Sequence, residues 1–424
     1  MRRFALPLLA LLAGCAVPGA APEEQGRAGA AQGAPAWPAV AAGEEPAAVV
    51  RGTARFGVDL YRHLAAEEGN LFFSPVGIVT AFGMAQAGAR GATEAEIARV
   101  LHYPLPNERL QPALGSVLRA LPIAAEGRQL TVANALWVHR DQPLRAEYAE
   151  LLRAQYGAAP EQADFELRRA EAAARINAWA ERNTNGRIRN LIGPDDLDAQ
   201  TRLVLTNAVW MKADWYHPFE PGATERRAFH AAAGPPAQVP FLRTKERAFR
   251  HIDRPELQAI ELPYRGEELS MIVMLPKGGG GIGAFERQLS ADRLEAWQAE
   301  LRAAEPVVVD LALPKIRLAT RYRLESALRA LGMAVAFSGD ADFSGIGGDE
   351  DLAIDKAIHQ TFLQVDEQGT EAAAATGLVI RTVSAPPPPQ ARFHADRPFF
   401  FLIRDNRSGA LLFMGRIAAP APLE

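Results

Sequence analysis

Serine, histidine and cysteine are the side chains of this chain that could act as nucleophile, base or metal ligand, and their spacing limits what they can do. Ser74 and His359 could serve as nucleophile and general base of a hydrolase. No GxSxG elbow surrounds that serine, however, and the chain contains no His-Glu-x-x-His, no cysteine pair and no Walker loop. Its 8 histidines are scattered without metal-ligand spacing, so neither a metal nor another cofactor is expected. The run Gly278-Gly279-Gly280-Gly281-Ile282-Gly283 does satisfy a GxGxxG pattern. A poly-glycine run fits that pattern trivially, Pro276 and Lys277 separate it from the preceding strand, and the βαβ unit it needs is missing. A surface turn leading to a helix near Ala284 is expected there.

The one cysteine, Cys15, closes an N-terminal segment in which Met1-Arg2-Arg3 precedes an apolar stretch too short to span a bilayer. Leu12-Ala13-Gly14-Cys15 resembles the lipobox of bacterial lipoproteins. The expectation is a signal peptide over residues 1–14, a lipidated Cys15, and export to a bacterial membrane facing the periplasm or the cell exterior. Residues 15–48 are rich in Ala, Gly and Pro and poor in large apolar side chains, the composition of a flexible tether. The folded domain is expected over residues 49–424. With a single cysteine no disulfide can form within the chain.

Residues 365–383 carry the most informative pattern. Thr370, Ala372, Ala374, Thr376, Leu378, Ile380 and Thr382 share one parity and none is charged, whereas Glu371 and Arg381 fall on the other. This is the alternation of a strand with one buried face. The run Ala372-Ala373-Ala374-Ala375 nevertheless favours helix, and Gly369 and Gly377 punctuate the segment as a loop. By itself the run fits either an Ala-rich helix or a segment with two structures, one exposed and one inserted.

The elements around it divide unevenly. Helical periods appear at residues 56–66, 77–87, 93–101, 143–156 and 170–183. Strand-like runs follow at 130–138, 201–211, 257–262, 269–275, 306–313, 362–365, 399–404 and 410–416. Helices first and strands later, without βαβ alternation, predict an α+β domain. A formal net charge of −4 over 424 residues offers no general pull toward nucleic acid.

Further blocks are Asn70-Leu71-Phe72-Phe73-Ser74-Pro75, Ala133-Asn134-Ala135-Leu136-Trp137, Leu205-Thr206-Asn207-Ala208-Val209-Trp210-Met211-Lys212 with Trp215, Leu313-Pro314-Lys315, and Arg397-Pro398-Phe399-Phe400-Phe401. In order and spacing, from about Thr53 to Pro420, they resemble the serpins, serine-protease inhibitors that trap their target by inserting a cleaved loop into their main sheet. The resemblance implies a helix-rich first half and a large mixed sheet able to accept the reactive loop, about residues 367–395, as an extra strand.

It also implies roles. Glu367, Gly369, Thr370, Glu371, Ala372, Ala373, Ala374, Ala375 and Thr376 become the hinge. Ser74, Asn207 and His359 become a hydrogen-bonded shutter beneath the sheet, with Gly77 standing where a second serine is usual, so that one shutter hydrogen bond is expected to be missing. Trp215, Lys315 and Glu367 form the breach, where loop entry begins, with Lys315 and Glu367 as a candidate ion pair. Counting from Gly369 places the scissile bond at Val383–Ser384, which favours elastase-like or subtilisin-like proteases as partners. Arg381 offers a trypsin-like alternative, and a non-inhibitory member of the family is the competing reading.

Overall fold

The computed structural model describes residues 37–121, 124–347, 352–370 and 388–420. The expectations placed on Cys15, on Glu371, Ala372, Ala373, Ala374, Ala375 and Thr376, and on Val383, Ser384 and Arg381 lie outside these residues.

The first half is helical: α1 (Glu45–Leu64), α2 (Pro75–Gly88), α3 (Gly91–Val100), α4 (Asn107–Ala120), α5 (Ala146–Tyr156) and α6 (Arg169–Asn183). Helix α1 starts well before residue 56, with a proline in its first turn, where a missing N–H leaves nothing unsatisfied. Ala48, Val49 and Val50 are already buried in it, and Trp37 and Val40 pack against the core. Helical structure therefore begins at Glu45, ahead of residue 49, where the folded domain was expected to start. Helix α4 escaped the sequence pattern because Pro112 sits inside it. Later come α7 (Gly281–Gln288), α8 (Ala291–Ala303) and α9 (Glu325–Ala330). The glycine run forms a turn with Gly278 at positive φ, and α7 begins within it at Gly281, ahead of Ala284.

The strands are β1 (Leu71–Phe73), β2 (Ala124–Ala125), β3 (Arg128–His139), β4 (Glu161–Ala163), β5 (Leu203–Asp214), β6 (Glu225–Phe229), β7 (Ala237–Thr244) and β8 (Ala248–Asp253). They continue with β9 (Leu257–Pro263), β10 (Leu269–Pro276), β11 (Pro306–Pro314), β12 (Ile316–Arg323), β13 (Lys356–Val365), β14 (Gly369–Thr370), β15 (Ala391–His394), β16 (Phe399–Asp405) and β17 (Leu411–Ile417). One sheet has the order β12-β13-β14-β5-β3-β2, with β4 beside β3. The other runs β1-β17-β16-β10-β9-β8-β11-β7-β6, with β15 beside β11.

Helix α2 packs against β3 and β5 of the first sheet and β17 of the second. It is buried around nearly its whole circumference, which is why its sequence is apolar on all sides. The second sheet is fixed by aromatic packing: Phe72 stacks on Phe413 at 5.0 Å and on Phe401 at 5.8 Å. Strands β16 and β17 are buried along their full length. Among the described residues, no comparable aromatic clamp lies along the central pair of the first sheet, and that pair is where the candidate site lies.

Candidate functional site: a seam, its lock and its entrance

Strands β13 and β5 are parallel and pair directly from Lys356 opposite Val204 to Phe362 opposite Trp210. Above Phe362 they part. Asp366 turns the chain, its carboxylate accepting from the amides of Gln368 at 3.0 Å and Gly369 at 3.3 Å. Strand β14 then lies between β13 and β5, antiparallel to both, with Thr370 opposite Val365 and Ala213, and Gly369 opposite Asp214. Only glycine fits at 369, because a Cβ there would stand 2.0 Å from the Ala213 carbonyl oxygen. The described part of the hinge is thus already two residues into the sheet. To travel further, the chain would have to break the direct β13–β5 ladder and form two antiparallel ladders in its place. Parallel pairing is slightly the weaker of the two per residue.

Below the entrance, the structure brings Ser74, Asn207 and His359 together. His359 and Asn207 are register partners across the seam, and their side chains join at 2.6 Å between Nδ1 and Oδ1. The Ser74 backbone N–H donates to His359 Nε2 at 3.0 Å. Because that donor can only donate, Nε2 accepts, so the neutral ring carries its proton on Nδ1 and donates it to Asn207. Asn207 Nδ2 donates onward to Asn134 Oδ1 at 2.6 Å, Asn134 Nδ2 to Thr80 Oγ1 at 2.9 Å, and the Thr80 hydroxyl to the Val76 carbonyl at 2.7 Å. The chain of bonds has one direction and runs from β13 across β5 and β3 down to α2. Burial pushes the fully enclosed imidazole pKa down to about 3.

Two details add to the sequence reading. Ser74 contributes its backbone to His359 and its hydroxyl to α2, where Oγ accepts from Gly77 N at 3.1 Å as the helix N-cap. A fully buried serine whose hydroxyl caps a helix does not form a nucleophile–base pair with that histidine. Nor does Gly77 leave a gap. A Cβ at this position would meet Asn207 Oδ1 at 2.6 Å and Val209 Cγ2 at 2.7 Å. The helix lies directly against Asn207, and Asn134 and Thr80 complete the hydrogen bonding. Neither was read as a site residue, although an asparagine inside an otherwise apolar strand is itself a signal, since a buried amide must find partners.

At the entrance, Lys315 Nζ and Glu367 Oε1 lie 2.6 Å apart, and Thr224 donates to the same carboxylate at 2.7 Å. Burial works against the Glu367 charge, yet the bonds from Lys315 and Thr224 outweigh it and hold the carboxyl below the usual range. Trp215 is buried beside them. Its amide donates to the Gln368 carbonyl at 2.7 Å and its indole N–H to the Asp366 carbonyl at 3.0 Å. Its ring stacks on Tyr264 at 4.5 Å, with 7° between the planes. Tyr264, far away in sequence, gave no signal of its own. Among the described residues, no cluster of three or more His, Cys, Asp or Glu is placed to hold a metal.

Two predictions follow from the lock. His359 is neutral in both states above pH 6.5. As the pH falls below 6.5 the unfolded chain binds a proton that the folded chain refuses until about pH 3, so stability is full at neutral pH and is lost through that window. A shift of that size is worth on the order of 5 kcal/mol. Urea unfolding midpoints of wild type should therefore fall more steeply between pH 6.5 and 4 than those of His359→Gln, and equal slopes would contradict this account. Gly77→Ser should displace Asn207 and destabilise by about 1–3 kcal/mol, the usual range for overpacking. Thermal unfolding measures this, and a variant as stable as wild type would show that Asn207 has room to move.

Comparison with known proteins identifies the family and the fold. The profile of the family described as Serpin (serine protease inhibitor) matches residues 51–420. An uncharacterised serpin-like protein of Thermococcus kodakarensis is 41% identical over 376 residues, covering 88% of this chain and 86% of its own length. Human serpin B3 is 32% identical, covering 86% of this chain and 98% of its own. Among solved structures, Serpin48 of the insect Tenebrio molitor superposes with a TM-score of 0.77 at 31% identity, covering 90% of this chain and 100% of its own. Human thyroxine-binding globulin, complexed with thyroxine, reaches 0.80 at 28% identity, covering 89% and 100%. The chain belongs to the serpin family, with the helices and large sheet of the serpin fold.

Proposed function

We propose that this protein inhibits serine endopeptidases as a suicide substrate. The observation that carries the reading is the position of β14: Gly369 and Thr370 already sit between β5 and β13, aimed along the seam that the rest of the loop would fill. Continuing the alternation from the buried Thr370 would turn Ala372, Ala374, Thr376, Leu378 and Ile380 to the same inner face, where small and apolar side chains pass most easily.

In this mechanism the serine hydroxyl of the target attacks the Val383 carbonyl carbon. The Val383–Ser384 bond breaks, Ser384 leaves as a protonated amino terminus, and Val383 stays esterified to the protease. The freed loop then inserts. About a dozen residues at ~3.3 Å each carry the protease roughly 40 Å along the sheet. Trapping succeeds if its active site is distorted before water releases the ester, so insertion speed separates inhibitor from substrate. Val383 favours elastase-like or subtilisin-like targets, with Arg381 the trypsin-like alternative. Export and lipidation at Cys15, which would hold the inhibitor on a bacterial membrane facing the periplasm or the exterior, belong to the same proposal.

Incubation with an elastase-like protease should give a covalent complex stable on a denaturing gel, together with a peptide beginning at Ser384. Thr370→Arg, which places a charge at the first inserted side chain, should convert trapping into plain cleavage. Full inhibition by that variant would refute insertion, and cleavage of wild type without a complex would mark a non-inhibitory serpin. For the anchor, metabolic labelling with a palmitate analogue in an expressing bacterium should mark wild type and not Cys15→Ser; unlabelled wild type would refute lipidation.

A further inference from the structure

We propose that Tyr264 is a positioning residue that sets how deeply the reactive loop rests in the sheet before any protease arrives. The proposal rests on reading β14 as the start of loop insertion. The Tyr264 hydroxyl lies 2.7 Å from Thr370 Oγ1, and both residues are completely buried. Gly369 cannot carry a side chain where it sits, so Thr370 is the first loop residue to present one to the interior. That side chain ends on the phenol.

What stands behind the phenol makes it a fixed stop. The Tyr264 amide donates to the Leu269 carbonyl at 2.9 Å, and Tyr264 forms an antiparallel bridge with Trp215. Its ring is stacked flat on the Trp215 indole. Tyr264 follows β9 directly and precedes β10, so it is held by the β9–β10 hairpin, which pairs from Pro263 opposite Ser270 to Leu257 opposite Pro276. On the loop side, the described residues Gly369 and Thr370 form β14. The indole and amide of Trp215 hold the Asp366 and Gln368 carbonyls just before it. The aromatic pair therefore grips the hinge twice, Trp215 by its backbone and Tyr264 by its first buried side chain.

The chemistry of the contact makes the idea separable from general packing. Leaving either hydroxyl buried without its partner carries the full desolvation penalty of that group. Replacing both by apolar groups of the same shape is nearly neutral. Tyr264→Phe alone should strand the Thr370 hydroxyl and drive the hinge out toward water. Thr370→Val alone should strand the phenol. The double variant should seat again, and Thr370→Ser, which keeps a hydroxyl, should behave as wild type.

Amide hydrogen exchange of residues 366–370 reads this directly. Each of Tyr264→Phe and Thr370→Val should speed exchange there at least tenfold with β9 and β10 unchanged. The double variant and Thr370→Ser should stay within threefold of wild type. Unchanged exchange in the single variants, or a double variant as fast as the product of the two, overturns the proposal. With an elastase-like protease that wild type traps, each single variant should consume at least twice as many inhibitor molecules per trapped protease, and the double should return to the wild-type ratio. If wild type traps no protease, the inhibitory reading fails while the exchange experiment still decides the role of Tyr264.

Discussion

The hydrogen bond from His359 to Asn207 crosses the parallel seam between β5 and β13, and the architecture around it makes sense only in relation to that seam. Any strand entering between these two must part this pair, and with it the polar chain that runs through Asn134 and Thr80 to the first turn of α2. An aliphatic seam would resist opening in proportion to its buried area at every point. Hydrogen bonds instead fail within a few tenths of an ångström, and their donors and acceptors can be satisfied again by a new neighbour. A buried polar lock is costly only when half broken, which suits an element that is either shut or filled. The neutrality of His359 belongs to the same logic: a protonated ring would lose its acceptor for the Ser74 amide.

The entrance and the lock are separate but share a strand. Thr370 pairs with Ala213 and His359 with Asn207, so the two contacts lie roughly 20 Å apart along β5. Strand β5 is also the main partner of β3, with which it pairs over its whole length. A displacement of β5 at its upper end is therefore carried by a stiff two-strand ribbon to the place where Asn207 meets Asn134. The second sheet is clamped by the stacked rings of Phe72, Phe401 and Phe413 and by the buried β16 and β17.

Much of this was legible in the chain and some was not, for identifiable reasons. Period-two runs located β3, β5, β9, β10, β11, β16 and β17 to within a few residues. Strand β12 was missed although Ile316, Leu318, Thr320 and Tyr322 alternate, because Arg317, Arg321 and Arg323 give the run the look of a solvated loop. Helix α4 was hidden by Pro112, and the start of α1 by alanines that continue the tether's composition. At the site, the resemblance named Ser74, Asn207 and His359 but could not give the role of each atom. That depends on Ser74 being an N-cap, which leaves its backbone N–H for the histidine. Tyr264 and Thr370 are 106 residues apart, and no local pattern marks a contact made only when β9 and the hinge meet.

Gly77 shows why family expectation and local physics have to be weighed together. A missing serine reads, from sequence, as a missing hydrogen bond and a looser lock. In the folded chain the absent side chain lets α2 approach until a Cβ would collide with both Asn207 and Val209, and the asparagine amide is fully used by its other partners. The lock is closely packed at this point and keeps its polar character. Its strength is then set less by the number of hydrogen bonds than by how far α2 and β5 must separate before Asn207 can turn away from His359. That distance is a property of packing, so in the proposed mechanism the helix beneath the seam would bear on sheet opening as much as the residues that bridge it.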